Sequence, residues 1–301
     1  MTNTQTSLLG DKPVRRIGFG AMQLAGPGVF GPPRDPEAAR AVLRRAIELG
    51  VDHIDTAQYY GPDVVNDLIR EALYPYPDGL RLVTKVGGRR DDTGAWLPAN
   101  SPAELRQGVE DNLRSLRVER MDLVNLRVMG EGHGNGEPTA EQLGVLADMR
   151  QEGKLDLIGV STVTVEGIKL AQELVGTIGE VQNAYSILDR RDEDTLNYCE
   201  AEGITYVPYF PLGSAFTGGP AALRSDPALV SVAQRHGATP SQVALAWLLA
   251  RSERILLIPG TSSVAHLEEN LAAADLQLDS EDLEALREVR ETGNPIHAVP
   301  E

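Results

Sequence analysis

The chain has 301 residues, 42% of them hydrophobic and 24% charged, which fits a globular protein and excludes a disordered or fibrous one. A formal net charge of −16, spread along the chain, excludes nucleic acid and anionic membrane surfaces as main partners, so any phosphate site must be local. The single cysteine, Cys199, excludes an intrachain disulfide, and neither a membrane-length apolar run nor a secretory signal is present, so the chain is expected in the cytoplasm.

From residue 16 onward, short β-rich apolar runs alternate with helix-period segments. RIGFG (16–20) is the first strand. GPGVFG (26–31) then satisfies the dinucleotide pattern G-x-G-x-x-G, but Pro32 and Pro33 follow, so these glycines cannot open a phosphate-binding helix and the stretch reads as a loop. A helix is predicted over 35–50, with Asp35 as N-cap, Pro36 at the first position and Gly50 as the stop. Strands follow at 53–56 (HIDT) and 80–86 (LRLVTKV), then a helix over 101–118 opened by a capping box from Ser101 and Glu104. The strand MDLVNL (121–126) leads into the glycine-rich GEGHGNGE (130–137), whose His133 has no clustered partners and reads as a loop residue, so no metal is assigned. A helix over 139–153 precedes strands at 156–161 (DLIGVS), 180–185 (EVQNAY) and 204–209 (ITYVPY). The eighth strand is RILLIPG (254–260), and its helix covers 263–274. Segments 239–252 and 279–291 read as two extra capped helices in the C-terminal half. Eight strand–helix pairs without an intervening linker predict one α/β domain over residues 1–301, a (β/α)8 TIM barrel of parallel strands.

In such a barrel each strand delivers its last residues to one rim, where active sites form. The polar residues at those positions are Asp55, Lys85, Asn125 to Arg127, Ser161 with Thr162, Gln182 with Asn183, and Tyr209. Asp55 and Lys85 come from neighbouring strands and carry opposite charge. A lysine held by an aspartate beside a tyrosine can lower the phenol from its usual pKa near ~10, so that it passes a proton near neutrality. The same two residues could equally satisfy one another at a barrel rim, Tyr209 could be a core aromatic, and HIDTAQYYGP (53–62) offers both Tyr59 and Tyr60.

The stretches GFGAMQL (18–24), IDTAQYYG (54–61), LVTKVG (82–87), MDLVNL (121–126), IGVST (158–162), VQNAYS (181–186), PYFPLG (208–213) and IPGTSSVAHLEEN (258–270) resemble, in order, the aldo-keto reductase superfamily. The likeness runs from about residue 16 to about 290. It implies a barrel that reduces aldehydes and ketones with NADPH, without a metal and without a Rossmann domain. In that family the proton-donating tyrosine lies five residues after the aspartate, which selects Tyr60 and leaves Tyr59 to packing. The resemblance therefore assigns Asp55, Tyr60 and Lys85 to three of the four catalytic positions, while Arg127 stands where the family has histidine. Arginine could still donate to the carbonyl oxygen and favour an ionised Tyr60, or it could pair with a carboxylate such as Asp55.

The same resemblance implies that Ser161, Thr162 and Gln182 bind the nicotinamide carboxamide, with Thr162 replacing the usual Asn. Tyr209 would stack on the nicotinamide, and Leu212 and Gly213 would border the pyrophosphate. Gly260, Thr261, Ser262 and His266 fall where many members hold the 2′-phosphate with Lys and Arg, and Glu269 and Asn270 match the adenine contacts. Hydroxyls and a helix start can still hold a phosphate there, which favours NADPH. GAMQLAGPGVFGPPRD (20–35), REALYPYPD (70–78), VNLRVMGEGHG (124–134) and LLIPGTSSVAHL (256–267) further resemble a bacterial branch that includes pyridoxal reductases and also carries arginine at the histidine position. The expected reaction is NADPH-dependent reduction of a small carbonyl substrate, pyridoxal to pyridoxine in the most specific form. Two alternatives are a reductase of another aldehyde or ketone, and a nicotinamide-binding regulatory subunit with slow turnover.

Overall fold

The computed structural model describes residues 6–128, 135–214 and 218–291. The chain opens with an antiparallel hairpin, β1 (Thr6–Leu9) and β2 (Lys12–Arg15), in which Thr6 faces Arg15 and Leu9 faces Lys12. Then come β3 (Phe19–Gly20), α1 (Pro36–Glu48), β4 (His53–Asp55), α2 (Val64–Leu73) and β5 (Arg81–Val86). A second hairpin, β6 (Gly88–Arg90) with β7 (Trp96–Pro98), is followed by α3 (Pro102–Leu116), β8 (Met121–Arg127), α4 (Ala140–Gln151), β9 (Leu155–Ser161), α5 (Val165–Val175) and β10 (Val181–Gln182). The remainder is helical: α6 (Glu193–Glu202), α7 (Gly219–Ser225), α8 (Pro227–His236), α9 (Pro240–Arg251), α10 (Val264–Ala272) and α11 (Ser280–Ala285).

Six strands form a parallel sheet in the order β10-β9-β8-β5-β4-β3. Two further staves close it: Val181 bridges Tyr206, Tyr206 bridges Ile255, and Leu257 bridges Ile17, all parallel. Backbone hydrogen bonds run through the closure, from Tyr206 N to Arg254 O (3.0 Å) and from Leu257 N to Arg16 O (2.8 Å). The expected strands at 16–20, 180–185, 204–209 and 254–260 are thus shorter than predicted, or reduced to single bridges. Pro208 and Pro259 lack the N–H that a ladder needs, and Gly18 leaves room for the His53 ring, which a Cβ there would meet at 2.3 Å.

The caps expected at Asp35 and at Ser101 with Glu104 are present, and further capping boxes accompany them. Asp35 accepts from Ala38 N (3.0 Å), Ser101 and Glu104 form a reciprocal capping box, and so do Thr139 with Gln142 and Thr239 with Gln242. The last predicted helix, 279–291, is a correction: α11 covers Ser280–Ala285 and tightens into a 3-10 turn over Leu286–Glu288. The loop 26–31 opens no helix of its own beyond a 3-10 turn at Pro27–Val29.

The N-terminal hairpin, absent from the sequence reading, closes the barrel at the strands' N-terminal end. Its Leu9 and Val14 pack against Val83, Leu123, Val207 and Leu256, all buried. The register above this plug positions the site. Gly20 lies beside Asp55, and Asp55 beside Val83; Lys85 lies beside Asn125, and Asn125 beside Gly159; Arg127 lies beside Ser161, and Ser161 beside Gln182. Neighbours in a parallel ladder project to the same face, so these rows stack polar groups inside the barrel toward its C-terminal rim. Among the described residues no helix is long and apolar enough to cross a membrane.

Candidate active site

Asp55 ends β4 and Lys85 lies near the end of β5, so the register brings them together inside the barrel, where they are only 4% and 2% exposed. Lys85 Nζ donates to Asp55 Oδ1 and to the Thr56 carbonyl (3.0 Å). Asp55 Oδ2 accepts from Gln182 Nε2 (3.0 Å), which ties the pair to the far side of the sheet. The ammonium lies 5.2 Å from the Tyr60 ring centroid, on the loop that leaves β4. A cavity of about 310 Å³ opens over these groups, lined by Asp55, Tyr60, Lys85, Arg127, Gln182 and Tyr209.

Tyr59 does not line this cavity. It is buried edge-on against Tyr60 (centroids 5.5 Å, planes at 87°) and against Trp96 (5.7 Å, 81°). The Arg90 guanidinium packs on Trp96, 4.0 Å from its centroid, and also donates to the carbonyls of Val29 (2.8 Å) and Gly28 (3.0 Å). The glycine-rich loop 26–31 is thereby fastened to the β6–β7 hairpin, and Tyr60 is backed by edge-to-face aromatics.

The electrostatics around Tyr60 differ from the sequence expectation. Burial pushes the phenol well above its ordinary range, the Asp55 charge pushes it further, and Arg127 is the cation that opposes the rise. Lys85 does not dominate because its charge is already paired with Asp55. Tyr60 therefore holds its proton at neutral pH, as a proton donor must. Burial also works against the Arg127 charge, but the surrounding phenols of Tyr59, Tyr209 and Tyr60 outweigh it and raise the guanidinium. Among the described residues no carboxylate lies within ion-pair distance of Arg127, whose guanidinium lies 5.7 Å from the Tyr209 ring centroid.

The other predicted residues divide. Leu212, Gly213, Gly260, Thr261 and Ser262 line the same cavity as the catalytic group. Ser161 and Thr162 are buried at the end of β9 with their hydroxyls 3.4 Å apart, beside the cavity and not on its wall. His266 is exposed in the first turn of α10, its N–H donating to the N-cap Ser263 (3.4 Å). Glu269 accepts from Thr239 Oγ1 (2.6 Å) and Asn270 is buried on α10, so neither lines the cavity. His133 lies outside the described residues. Among the described residues no cluster of three or more His, Cys, Asp or Glu side chains is placed to hold a metal.

The structure adds residues that the sequence reading passed over. Gly20, Met22, Gln23, Phe210, Pro211, Pro220, Ile258 and Pro259 complete the cavity wall. Gly20 and Gly260 mark where two strand ends meet: a Cβ on Gly20 would lie 2.4 Å from the Ile258 carbonyl oxygen. Beneath the cavity lies Glu180, 2% exposed, pushed up to about 7 by burial and by the Asp55 charge. The alternation in EVQNAY places Glu180 on the same face as Gln182, a signal that could have found it.

The Aldo/keto reductase family model matches residues 16–291. The chain is 54% identical over 286 residues to pyridoxine 4-dehydrogenase of Escherichia coli (strain K12), covering 94% of this chain and 98% of that protein. Among solved structures it resembles an aldo/keto reductase of Klebsiella pneumoniae in complex with NADP and acetate (26% identity, TM-score 0.75, 94% of each chain). In fold it also resembles the glycerol dehydrogenase of Gluconobacter oxydans (22% identity, TM-score 0.81, 98% of each chain). A match over this span and an identity this high settle the family: the chain belongs to the aldo/keto reductases.

Proposed function

We propose that this enzyme reduces an aldehyde to an alcohol with NADPH, and that its substrate is pyridoxal, reduced to pyridoxine. The observation that carries the reading is the convergence of a phenol, a buried ion pair and a guanidinium on one cavity wall. The cavity fits a nicotinamide cofactor by the chemistry of its own groups. Gln182 Oε1 is buried and has no hydrogen-bond partner among the described residues, which leaves an acceptor for a carboxamide N–H. Thr261 and Ser262 offer hydroxyls just ahead of the α10 N-terminus, where a phosphate is stabilised by the free N–H groups. NADPH, when bound, supplies the hydride that adds to the carbonyl carbon.

Tyr60 gives its phenolic proton to the carbonyl oxygen, so that the aldehyde gains both hydrogens and becomes the alcohol. The Asp55–Lys85 pair fixes the polar floor beneath Tyr60. Arg127 donates to the developing oxygen anion and stabilises the phenolate that Tyr60 leaves behind. Pyridoxal carries a phenolic oxygen beside its aldehyde, and a fixed guanidinium can serve both oxygens. The name of the Escherichia coli relative supports this substrate.

The test is NADPH oxidation across pyridoxal, nitrobenzaldehyde and simple sugars, for wild type, Tyr60→Phe and Arg127→Ala. Pyridoxal should be turned over best. Tyr60→Phe should lose about 10²- to 10⁴-fold in kcat while still binding NADPH, and Arg127→Ala should lose about 10²-fold. Tight NADPH binding with no aldehyde reduced would instead favour a regulatory role, and undiminished turnover in Arg127→Ala would remove that residue from the chemistry.

A further inference from the structure

The barrel interior holds a second carboxyl that the reaction above does not use. Glu180 precedes β10 and, by the register Val181–Val160, continues the row Lys85, Asn125, Gly159. Position 159 is empty of side chain, and Asn125 uses that gap. A Cβ on Gly159 would lie 2.1 Å from Asn125 Oδ1, while Asn125 Nδ2 reaches past it to donate to Glu180 Oε1 (2.7 Å). Glu180 Oε1 also accepts from Gln182 Nε2 (3.4 Å), the nitrogen that donates to Asp55 Oδ2 at 3.0 Å.

Both amide hydrogens of Gln182 are therefore claimed by carboxyl groups, one from β4 and one from the start of β10. Rotating the amide by 180° would set its carbonyl oxygen against two carboxyl oxygens, so the nitrogen is held on that side by charge. The consequence is a Gln182 Oε1 that is buried and unpartnered, on a residue that lines the cavity. We infer that Glu180 is a positioning residue: with Asp55 it clamps the Gln182 amide so that the carbonyl oxygen is presented to the nicotinamide carboxamide.

This inference rests on the nicotinamide reading above. The charged groups facing Glu180 are Asp55 from β4 and Lys85 from β5; the neutral ones are Asn125 from β8 and Gln182 from β10. Protonating Glu180 replaces a charged acceptor by a neutral one and loosens the clamp. The clamp should be firm above neutrality and weaker below it.

NADPH dissociation constants would be measured by quenching of tryptophan fluorescence in wild type, Glu180→Leu, Gln182→Leu and the double variant. Each single change should weaken NADPH roughly tenfold, and the second should add almost nothing to the first. Glu180→Gln keeps an acceptor but cannot ionise. It should bind NADPH at pH 8 about as wild type does below neutrality, more weakly than wild type at pH 8, and lack the component of the wild-type pH dependence that belongs to residue 180. In the unliganded protein, the Gln182 side-chain amide signals in ¹⁵N–¹H spectra should shift near neutrality in wild type and not in Glu180→Gln. Should Glu180→Leu fail to fold, the Glu180→Gln titration and spectra decide the matter alone. A folded Glu180→Leu that binds like wild type, losses that add in full, or Gln182 signals indifferent to residue 180 would overturn the inference while leaving the proposed function standing. A wild type that binds no nicotinamide nucleotide overturns both.

Discussion

Thr162 follows β9 with φ at +60°, the left-handed region that a β-branched residue adopts only with strain. The conformation is imposed by its neighbours: its N–H donates to Gln182 O (3.1 Å) and its carbonyl accepts from Gly136 N (2.9 Å). Asparagine tolerates this region far better, which gives a backbone reason for the family's usual Asn at this position, separate from any contact with cofactor. Thr162→Asn should therefore stabilise the protein by about 1 kcal/mol, read as a higher Tm at unchanged secondary structure. A lower Tm would mean that packing around the buried threonine outweighs the backbone. Asp55 and Lys85 were legible as opposite charges ending neighbouring strands, whereas Tyr60 was separated from Tyr59 only by the family resemblance; the structure brings all three to one cavity. The alternation in EVQNAY gives the face that Glu180 occupies but not its role, which depends on Gly159 being empty one strand away, a gap that no pattern within that stretch reports.

The elements divide along a similar line. Helices announced themselves because a cap is a local device: the boxes at Ser101, Thr139 and Thr239 need only residues three positions apart. Strands of the second half were overestimated because a ladder depends on its partner, and Pro208 and Pro259 supply no N–H, so the facing carbonyl acceptors of the partner go without a ladder donor. The β1–β2 hairpin was missed because its apolar face is only Leu9 and Val14, set among Gly10, Asp11, Lys12 and Pro13. Yet those two side chains stopper the barrel against the Val83, Leu123 and Leu256 layer, and Gly10 takes φ +61° to turn the chain beneath Leu157. Leu9→Ala should leave a cavity at the barrel's closed end and cost ~2–5 kcal/mol, seen as a lower urea midpoint. NADPH affinity should hold, since the cavity lies at the opposite rim. Unchanged stability would mean that the hairpin merely lies on the barrel.

For the molecule as a whole, the charge that matters most is inside. The excess of acids, 44 against 28 Lys and Arg, is solvated and spread, whereas Asp55, Lys85 and Glu180 form a buried group with two carboxyls against one ammonium. Like charges in one site cannot both ionise cheaply, and here Glu180 is the one that yields, its carboxyl raised from 4.5 to about 7 by burial first and by Asp55 second. An acid whose pKa is higher folded than unfolded binds its proton more tightly when folded, so its contribution to stability is complete below about 4.5 and is lost as pH rises through about 7. Glu180→Gln removes this titration while keeping shape and an acceptor. Urea unfolding of both proteins from pH 4.5 to 8.5 should show the variant gaining on wild type across the lower part of that range, by on the order of 2–3 kcal/mol, and then holding a constant lead above pH 7 to 8. Taking the difference cancels the surface carboxylates, which titrate identically in both chains. A difference that is flat with pH would mean that Glu180 ionises alike in the folded and unfolded chain, its buried charge compensated by Lys85.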